Sequence, residues 1–178
     1  KKIKIPINLE MSPSKEMLKI ALKFKPNFVC LVPEKRKEIT TEGGLNLPRN
    51  INNLKKIVKK LNEKKIRTSL FINPSIKNIK ISKYLDTRCI ELHTGKISRL
   101  IKNNKNYISE LNKIINCTKF ATSLGIEVHA GHGMDYKTAK ILAKVKGIRE
   151  FNIGHFIIGE SIFFGLRKVI KKFIVICK

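Results

Sequence analysis

The chain has 178 residues and a formal net charge of +25, with 38 basic against 13 acidic side chains. Such a charge is typical of nucleic-acid-binding proteins, but 31 of the basic residues are Lys and only 7 are Arg, and the chain contains no Trp and three Tyr. Arginine is the usual reader of phosphate and guanine, and aromatic rings stack on bases, so this composition argues against a nucleic-acid partner. The charge instead favours anionic, phosphorylated small molecules, and the length suits a single domain over residues 1–178.

The four cysteines stand at positions 30, 89, 117 and 177, without a CxxC pair or the spacing of a zinc site. The first three fall within predicted strands or helices, so we expect buried thiols in a reducing cytoplasm. No apolar run reaches the roughly 18–20 residues needed to cross a bilayer, and no signal peptide is recognisable. We therefore expect a cytoplasmic protein without a membrane span.

Apolar periodicity predicts six strands, each followed by a helical segment. The strands are predicted at residues 4–9, 28–32, 67–72, 87–92, 126–130 and 150–153. The helices are predicted at residues 13–24, with Ser12 as N-cap, at 50–62, from 74 onward, and at 105–124, 135–145 and 156–176. Unbroken alternation of this kind predicts a parallel α/β chain with right-handed crossovers. No GxGxxG or GxxxxGK[ST] motif is present, which disfavours a nucleotide-binding doubly wound sheet. A (β/α)₈ TIM barrel needs eight units, so a barrel reading leaves about six βα units present and two absent.

The second predicted strand leads into a long polar loop, residues 34–44, that includes Thr40-Thr41-Glu42-Gly43-Gly44. Loops at the carboxyl ends of parallel strands carry the chemistry of α/β enzymes. The loop combines hydroxyls, a carboxylate and accessible backbone N–H groups. These groups favour a functional loop over a merely solvated connection.

Several titratable side chains are predicted at or just past the ends of strands. In a barrel these ends converge on one mouth, so we expect the side chains to meet there. They are Glu10, Glu91, His93, His132 and His155.

The two carboxylates each have a structural and a catalytic interpretation. Glu10 either favours the N-terminus of the following helix or acts as a general base whose pKa is raised by partial burial. Alternation places Glu91 inside the barrel, where an unpartnered carboxylate would cost several kcal/mol, of order 3–5. It therefore requires a partner, either in a structural ion pair or in the active site.

His129 and His132 are spaced three apart, but no third ligand matches them, so we predict no metal site. His132 stands between two glycines, which leaves its ring open to approach and suits a proton shuttle. Gly131, Gly133 and Gly154 follow the last two strands, where barrels often bind phosphate through backbone N–H groups. The alternative for these glycines is a set of tight packing turns.

Four stretches resemble the pyridoxine 5'-phosphate synthase family in the same order along the chain. They are LVPEKRKEITTEGGLNL at residues 31–47, IELHTG at 90–95, AGHG at 130–133 and NIGHFIIG at 152–159. The resemblance runs from about residue 5 to residue 166 and implies a TIM barrel that lacks its N-terminal part. Family members carry an earlier Asn-x-Asp-His stretch and a stretch rich in His and Arg, and neither is found here. At position 129 this chain has His where the family usually has Asn.

The resemblance also implies an activity and residue roles. The family condenses 3-amino-2-oxopropyl phosphate with 1-deoxy-D-xylulose 5-phosphate to give pyridoxine 5'-phosphate, phosphate and water, without a cofactor or a metal. It implies that the protein forms a homo-oligomer, an octamer built from dimers. The implied roles are proton acceptor for Glu10, proton donor for His132, transition-state stabiliser for Glu91, aminoketone phosphate binding for Gly133, Gly154 and His155, and sugar phosphate binding for Thr40.

Two other functions remain open from the sequence. A truncated, non-catalytic relative would bind phosphate compounds or RNA through its lysines. A different phosphate-binding barrel enzyme, such as an isomerase, would share the glycine loops but would not account for the motif at residues 34–47.

Overall fold

The computed structural model describes residues 4–33 and 43–177 of the chain. The strands in these ranges are β1 (Asn8–Met11), β2 (Phe28–Leu31), β3 (Arg67–Ile72), β4 (Cys89–His93), β5 (Glu127–Gly131) and β6 (Ile148–Asn152). The helices are α1 (Lys15–Phe24), α2 (Leu47–Glu63), α3 (Ile76–Tyr84), α4 (Gly95–Lys102), α5 (Ile108–Ser123), α6 (Tyr136–Leu142), α7 (His155–Phe164) and α8 (Leu166–Ile176). Thr40 and most of the loop at residues 34–44 lie outside the described residues.

The six strands are parallel and lie in one sheet in chain order, from β1 to β6. Each strand pairs with the next one along the chain, as in a (β/α) barrel, whereas doubly wound sheets reverse their strand order near the middle. The structure is thus part of a TIM barrel, and the prediction of about six βα units is confirmed. Among the described strands, β1 and β6 are each paired on one side only.

The two faces of the sheet have different chemistry because side chains alternate along each strand. Leu70, Ile72, Ile90 and Leu92 are fully buried and pack on the helices. The alternate positions of β4 carry Cys89, Glu91 and His93, which face the concave side. The apolar face supplies the core and leaves the concave face for polar and titratable groups.

The first unit differs in detail from the prediction. β1 spans Asn8–Met11 because this segment pairs with β2, so Glu10 lies within the strand and not after it. The N-cap of α1 is Ser14, whose hydroxyl accepts from the Met17 N–H at 3.2 Å, and not Ser12.

Two helical features were not predicted. α4 occupies residues that the sequence analysis left unassigned between the fourth strand and the next helix, and it buries Ile97 and Ile101. The predicted final helix is two helices, α7 and α8, which meet at Gly165 with φ 78°. Only glycine adopts that backbone conformation at low cost, so the helix ends and restarts there.

All four cysteines are free thiols, and the predicted burial of Cys30, Cys89 and Cys117 is confirmed. None of the helices in the described ranges combines the length and the apolar character that a bilayer crossing requires.

Candidate active site

A cavity of about 850 Å³ opens at the carboxyl ends of the strands. His93, also predicted at this rim, does not line it but stacks on the ring of His132. Six other predicted site residues that the structure describes do line the cavity. These are Glu10, Glu91, His132, Gly133, Gly154 and His155. Residues that are far apart in the chain therefore meet at one mouth, while their chemical roles remain predictions.

Glu91 lies at the base of this cavity and is only 3% exposed. Its Oε2 accepts a hydrogen bond from Asn152 Nδ2 at 2.7 Å and one from the Cys30 thiol at 3.4 Å. Burial raises the pKa of Glu91 from 4.5 to about 7, and the two hydrogen bonds oppose that rise. The carboxyl group therefore exchanges its proton near neutral pH, as a group that takes part in acid–base chemistry must.

Gly131 supplies the space that the Glu91 carboxylate occupies. A Cβ built at position 131 would overlap Glu91 Oε1 and would lie 3.1 Å from the Asn152 carbonyl oxygen. The carboxylate is buried and cannot swing away into solvent, so glycine is required next to it.

His132 belongs to a small aromatic stack at the mouth of the cavity. Its ring lies 4.7 Å from that of His93, centroid to centroid, at an interplanar angle of 24°. Phe71 contacts His93 edge-on at 5.2 Å. A Cβ at Gly95 would come within 2.9 Å of the His132 ring, so α4 begins close against the stack.

The backbone holds His132 in an unusual conformation, with φ 77°. The Thr94 hydroxyl, just after β4, lies 2.7 Å from the carbonyl oxygens of both Gly131 and His132, and its single proton, shared between the two acceptors, holds this turn. Burial, and secondarily the nearby His155, lower the pKa of His132. The imidazole is therefore neutral at neutral pH, ready to take up a proton in one step and return it in another.

Two helices begin at the cavity, and the N–H groups of a helix N-terminus favour the binding of anions. α7 starts at His155 with Gly154 as its N-cap, and α4 starts at Gly95. Arg99 and Lys102 of α4 also line the cavity. Neither cation was predicted, because no element was predicted at residues 95–102, although Ile97 and Ile101 show the i, i+4 spacing of an amphipathic helix.

Glu10 lies on β1, the outermost described strand on its side of the sheet. Its side chain is exposed, so the predicted partial burial is wrong. Its charge still acts on Glu91, whose pKa it raises.

Replacing Cys30 with Ala should raise the pKa of Glu91 above its parent value of about 7, because it removes a hydrogen bond that stabilises the carboxylate. The ¹³C shift of the Glu91 carboxyl group, followed against pH, measures this directly. Cys30→Ser is the matched control, since a hydroxyl still donates and should keep the pKa near that of the parent. An unchanged pKa in Cys30→Ala would contradict the assigned hydrogen bond.

Comparisons with known proteins agree with this geometry. The model of the family described as pyridoxal phosphate biosynthesis protein PdxJ matches residues 1–178. The chain is 62% identical over 170 residues to the pyridoxine 5'-phosphate synthase of Pelagibacter ubique (strain HTCC1062), covering 96% of this chain and 71% of that protein. It is 50% identical over 172 residues to the protein of the same name from Zymomonas mobilis (strain ATCC 31821 / ZM4 / CP4), covering 97% of this chain and 66% of that protein.

Solved structures resemble the fold at much lower identity. A 3-keto-L-gulonate-6-phosphate decarboxylase from Vibrio cholerae O1 superposes with a TM-score of 0.59 at 14% identity, over 93% of this chain and 72% of that chain. The citrate synthase SbnG superposes with a TM-score of 0.56, also at 14% identity, over 96% of this chain and 72% of that chain. These structures support the barrel architecture alone. From the match over its whole length and its high identity to the two synthases, the chain belongs to the pyridoxal phosphate biosynthesis protein PdxJ family.

Proposed function

We propose that this chain is a pyridoxine 5'-phosphate synthase, which condenses 3-amino-2-oxopropyl phosphate with 1-deoxy-D-xylulose 5-phosphate. The products are pyridoxine 5'-phosphate, phosphate and water. The observation that carries the proposal is the single cavity where Glu10, Glu91 and His132 meet beside two helix N-termini. The names of the two synthase relatives supply the product, and the family resemblance implies the two substrates.

The proposed reaction needs several proton transfers in one place. The amine attacks the ketone to give a Schiff base, phosphate is eliminated, water adds, and an aldol-type closure with dehydration forms the ring. Each step adds or removes a proton at nitrogen, oxygen or carbon, so acids and bases must share a pocket. The cavity offers a neutral imidazole, a carboxyl group with pKa about 7 and an exposed carboxylate.

Each titratable group suits one part of this chemistry. His132 would donate protons to the leaving oxygens, and Glu10 would accept protons at the open side of the cavity. In its ionised form Glu91, at the base of the cavity, would stabilise the positive charge of the iminium intermediate. Hydrogen bonds from Asn152 and Cys30 fix its orientation, so little reorganisation would accompany the reaction.

The phosphate groups would be held by backbone and cationic groups. The N-terminus of α7, at Gly154 and His155, and the loop at Gly133 would bind the aminoketone phosphate. Gly133 has φ 72° and lies against the start of α4, so a larger residue would disturb both. Thr40, which lies outside the described residues, would bind the sugar phosphate.

We also propose a cytoplasmic homo-oligomer, an octamer built from dimers by family resemblance. Exposed apolar side chains on α7 support an interface between subunits. Ile158, Ile162 and Phe163 are 62%, 79% and 81% exposed. Exposed apolar side chains continue on α8 at Leu166, Ile174 and Val175, and an apolar surface of this extent is typical of one that another chain covers.

Incubating the folded chain with both phosphates should yield pyridoxine 5'-phosphate, detected by chromatography, and Glu10→Gln should reduce the rate by about 10²-fold. This is the low end of the range for loss of a general base. Glu10 is exposed, so in the variant a water molecule can reach the site and partly replace the carboxylate as proton acceptor. Circular dichroism checks that the variant is folded.

The synthase from Pelagibacter ubique is the positive control for this assay, and the chain spans 71% of its length. If the control forms product and the folded chain forms none, the chain does not catalyse the reaction by itself. A non-catalytic relative that binds phosphate compounds or RNA would then be favoured. Binding of RNA that weakens steeply with salt would identify the RNA alternative.

A further inference from the structure

A second group of polar side chains lies on the concave face at the amino ends of the strands, away from the cavity mouth. Cys89 in β4 pairs in register with Glu127 in β5, and His129 pairs with Glu150 in β6. Arg67, at the start of β3, reaches the same place. None of these side chains lines the active-site cavity.

Three of these side chains present metal-ligating atoms to one another. The Cys89 sulfur, a carboxylate oxygen of Glu127 and a ring nitrogen of His129 all lie within 4.8 Å of one another. Cys89 and His129 are each 1% exposed. A tetrahedral zinc ion with bonds of about 2.0–2.3 Å holds its ligand atoms about 3.3–3.8 Å apart, so small side-chain rotations would close the site.

The ring of His129 has an unsatisfied nitrogen in this arrangement. Nε2 lies 2.7 Å from Glu127 Oε1 and bonds to it, which places the ring proton on Nε2. Nδ1 is buried without a hydrogen-bond partner, and its lone pair faces Glu150 Oε1 at 3.6 Å. A buried lone pair directed at a carboxylate is unfavourable, and a proton on Nδ1 would turn this contact into a hydrogen bond to Glu150.

We propose that Cys89, Glu127 and His129 bind a divalent metal ion of the zinc class, with Nε2 as the histidine ligand. The thiol releases its proton to solvent, and the ring proton moves from Nε2 to Nδ1, where it donates to Glu150. This gives the carboxylate–histidine–metal arrangement that orients histidine ligands in known sites. Sulfur, imidazole and carboxylate together form a ligand set that zinc accepts, with a water molecule as the fourth ligand.

Charge also favours the bound state. Without a metal, the guanidinium of Arg67 faces two carboxylates, Glu127 Oε1 at 2.8 Å and Glu150 Oε2 at 3.3 Å. Among these three side chains one negative charge is unbalanced, and Arg149 acts on Glu127 from farther away. A divalent ion and a thiolate together add one positive charge and balance the three side chains. Both bonds of Glu127, to Arg67 and to His129, fall on Oε1, so Arg67 remains bonded as an outer partner when Oε2 turns to the metal.

The test is a titration of the full, chelator-treated chain with Co²⁺. We expect one equivalent to bind, with a near-ultraviolet band from thiolate-to-cobalt charge transfer and the visible bands of a four-coordinate ion. One equivalent of Zn²⁺ should abolish both. In Cys89→Ser the near-ultraviolet band should be lost, and in His129→Asn the affinity should fall at least tenfold. Cys117→Ser, which alters another buried thiol in α5, is the matched control and should leave both bands unchanged.

The proposal is overturned if Co²⁺ shows only the weak spectrum of the hydrated ion, or if Cys89→Ser gives the same bands as the parent. It is also overturned if the affinities of the parent and His129→Asn are equal. Should circular dichroism show that His129→Asn does not fold, Glu127→Gln replaces it with the same expected loss. The readout is metal binding, so the result does not depend on synthase activity.

Discussion

Replacing His132 with Asn is expected to lower turnover by about 10³-fold, within the range for loss of a general acid or base. Asparagine tolerates the left-handed conformation that residue 132 adopts at φ 77°, so the turn should persist and only the ring should be lost. The measurement is kcat for pyridoxine 5'-phosphate formation with both phosphates in excess. If the variant retained a third of the parental turnover, His132 would not be the proton donor of the reaction.

The pH dependence provides a second check on His132. Its neutral form is the proposed resting state, so turnover should decline as the pH falls through its lowered pKa. His155 contributes to that lowering by charge repulsion, and His155→Gln should therefore shift the acid limb to higher pH. Because His155 is also proposed to bind phosphate, its substitution should raise KM more than it lowers kcat.

Replacing Glu91 with Gln should lower turnover by about 10²–10³-fold, the usual cost of losing one preorganised electrostatic group. The amide oxygen can still accept from Asn152 and Cys30, so the geometry at the base of the cavity should be kept. In the parent, turnover should rise with pH through about 7 as Glu91 ionises, and in the variant only the limb at lower pH that His132 sets should remain. Equal pH profiles in the two proteins would contradict the assignment.

The same substitution should affect stability in the opposite direction. The folded-state pKa of Glu91 is raised, so between about pH 4.5 and 7 the native state holds a proton that the unfolded state has released. Parental stability therefore falls as pH rises through this window. The cost above pH 7 is up to about 3 kcal/mol at 1.36 kcal/mol per pKa unit. Glu91→Gln lacks that cost, so at pH 8 it should unfold at a higher urea concentration than the parent.

Glu110 offers a matched control for this pair of effects. It is also a buried glutamate, 7% exposed, but its Oε2 lies 2.7 Å from Lys96 Nζ in an ion pair. Neither of these residues lines the cavity. Glu110→Gln should lower stability and leave turnover within a few-fold of the parent. An inactive but stabilised Glu91→Gln beside an active but destabilised Glu110→Gln would identify Glu91 as a functional group kept at a cost in stability.

Local patterns in the sequence were sufficient to predict the architecture and to predict that the site residues meet at one edge of the sheet. Apolar runs such as that of β3 set the strand positions, and the unbroken alternation of strands and helices set the barrel-type order. Because parallel strands end at one edge, the placement of Glu91 and His132 at strand ends was enough to predict that they meet.

The missed features depend on contacts between distant parts of the chain. Cys30 donates a hydrogen bond to Glu91 although the two residues are 61 positions apart in the chain. The sheet brings them together, and no local spacing in the sequence predicts this contact. The partners of His129 were missed for the same reason, since Cys89 lies on the neighbouring strand. The exposure of Glu10 depends on its being on an outer strand, which is a property of the sheet and not of the residues around it.

The steric conflict between a side chain at 131 and the carboxylate at 91 makes these two positions interdependent in evolution. Their substitution energies will not add, because most of the cost of a methyl group at 131 arises while Glu91 fills the space beside it. A lineage that shortened residue 91 would regain freedom at 131, whereas the reverse order of changes would pass through a poorly packed intermediate. Glycine at 131 is therefore required for as long as the Glu91 carboxylate is kept, and a shorter side chain at 91 would relax this requirement.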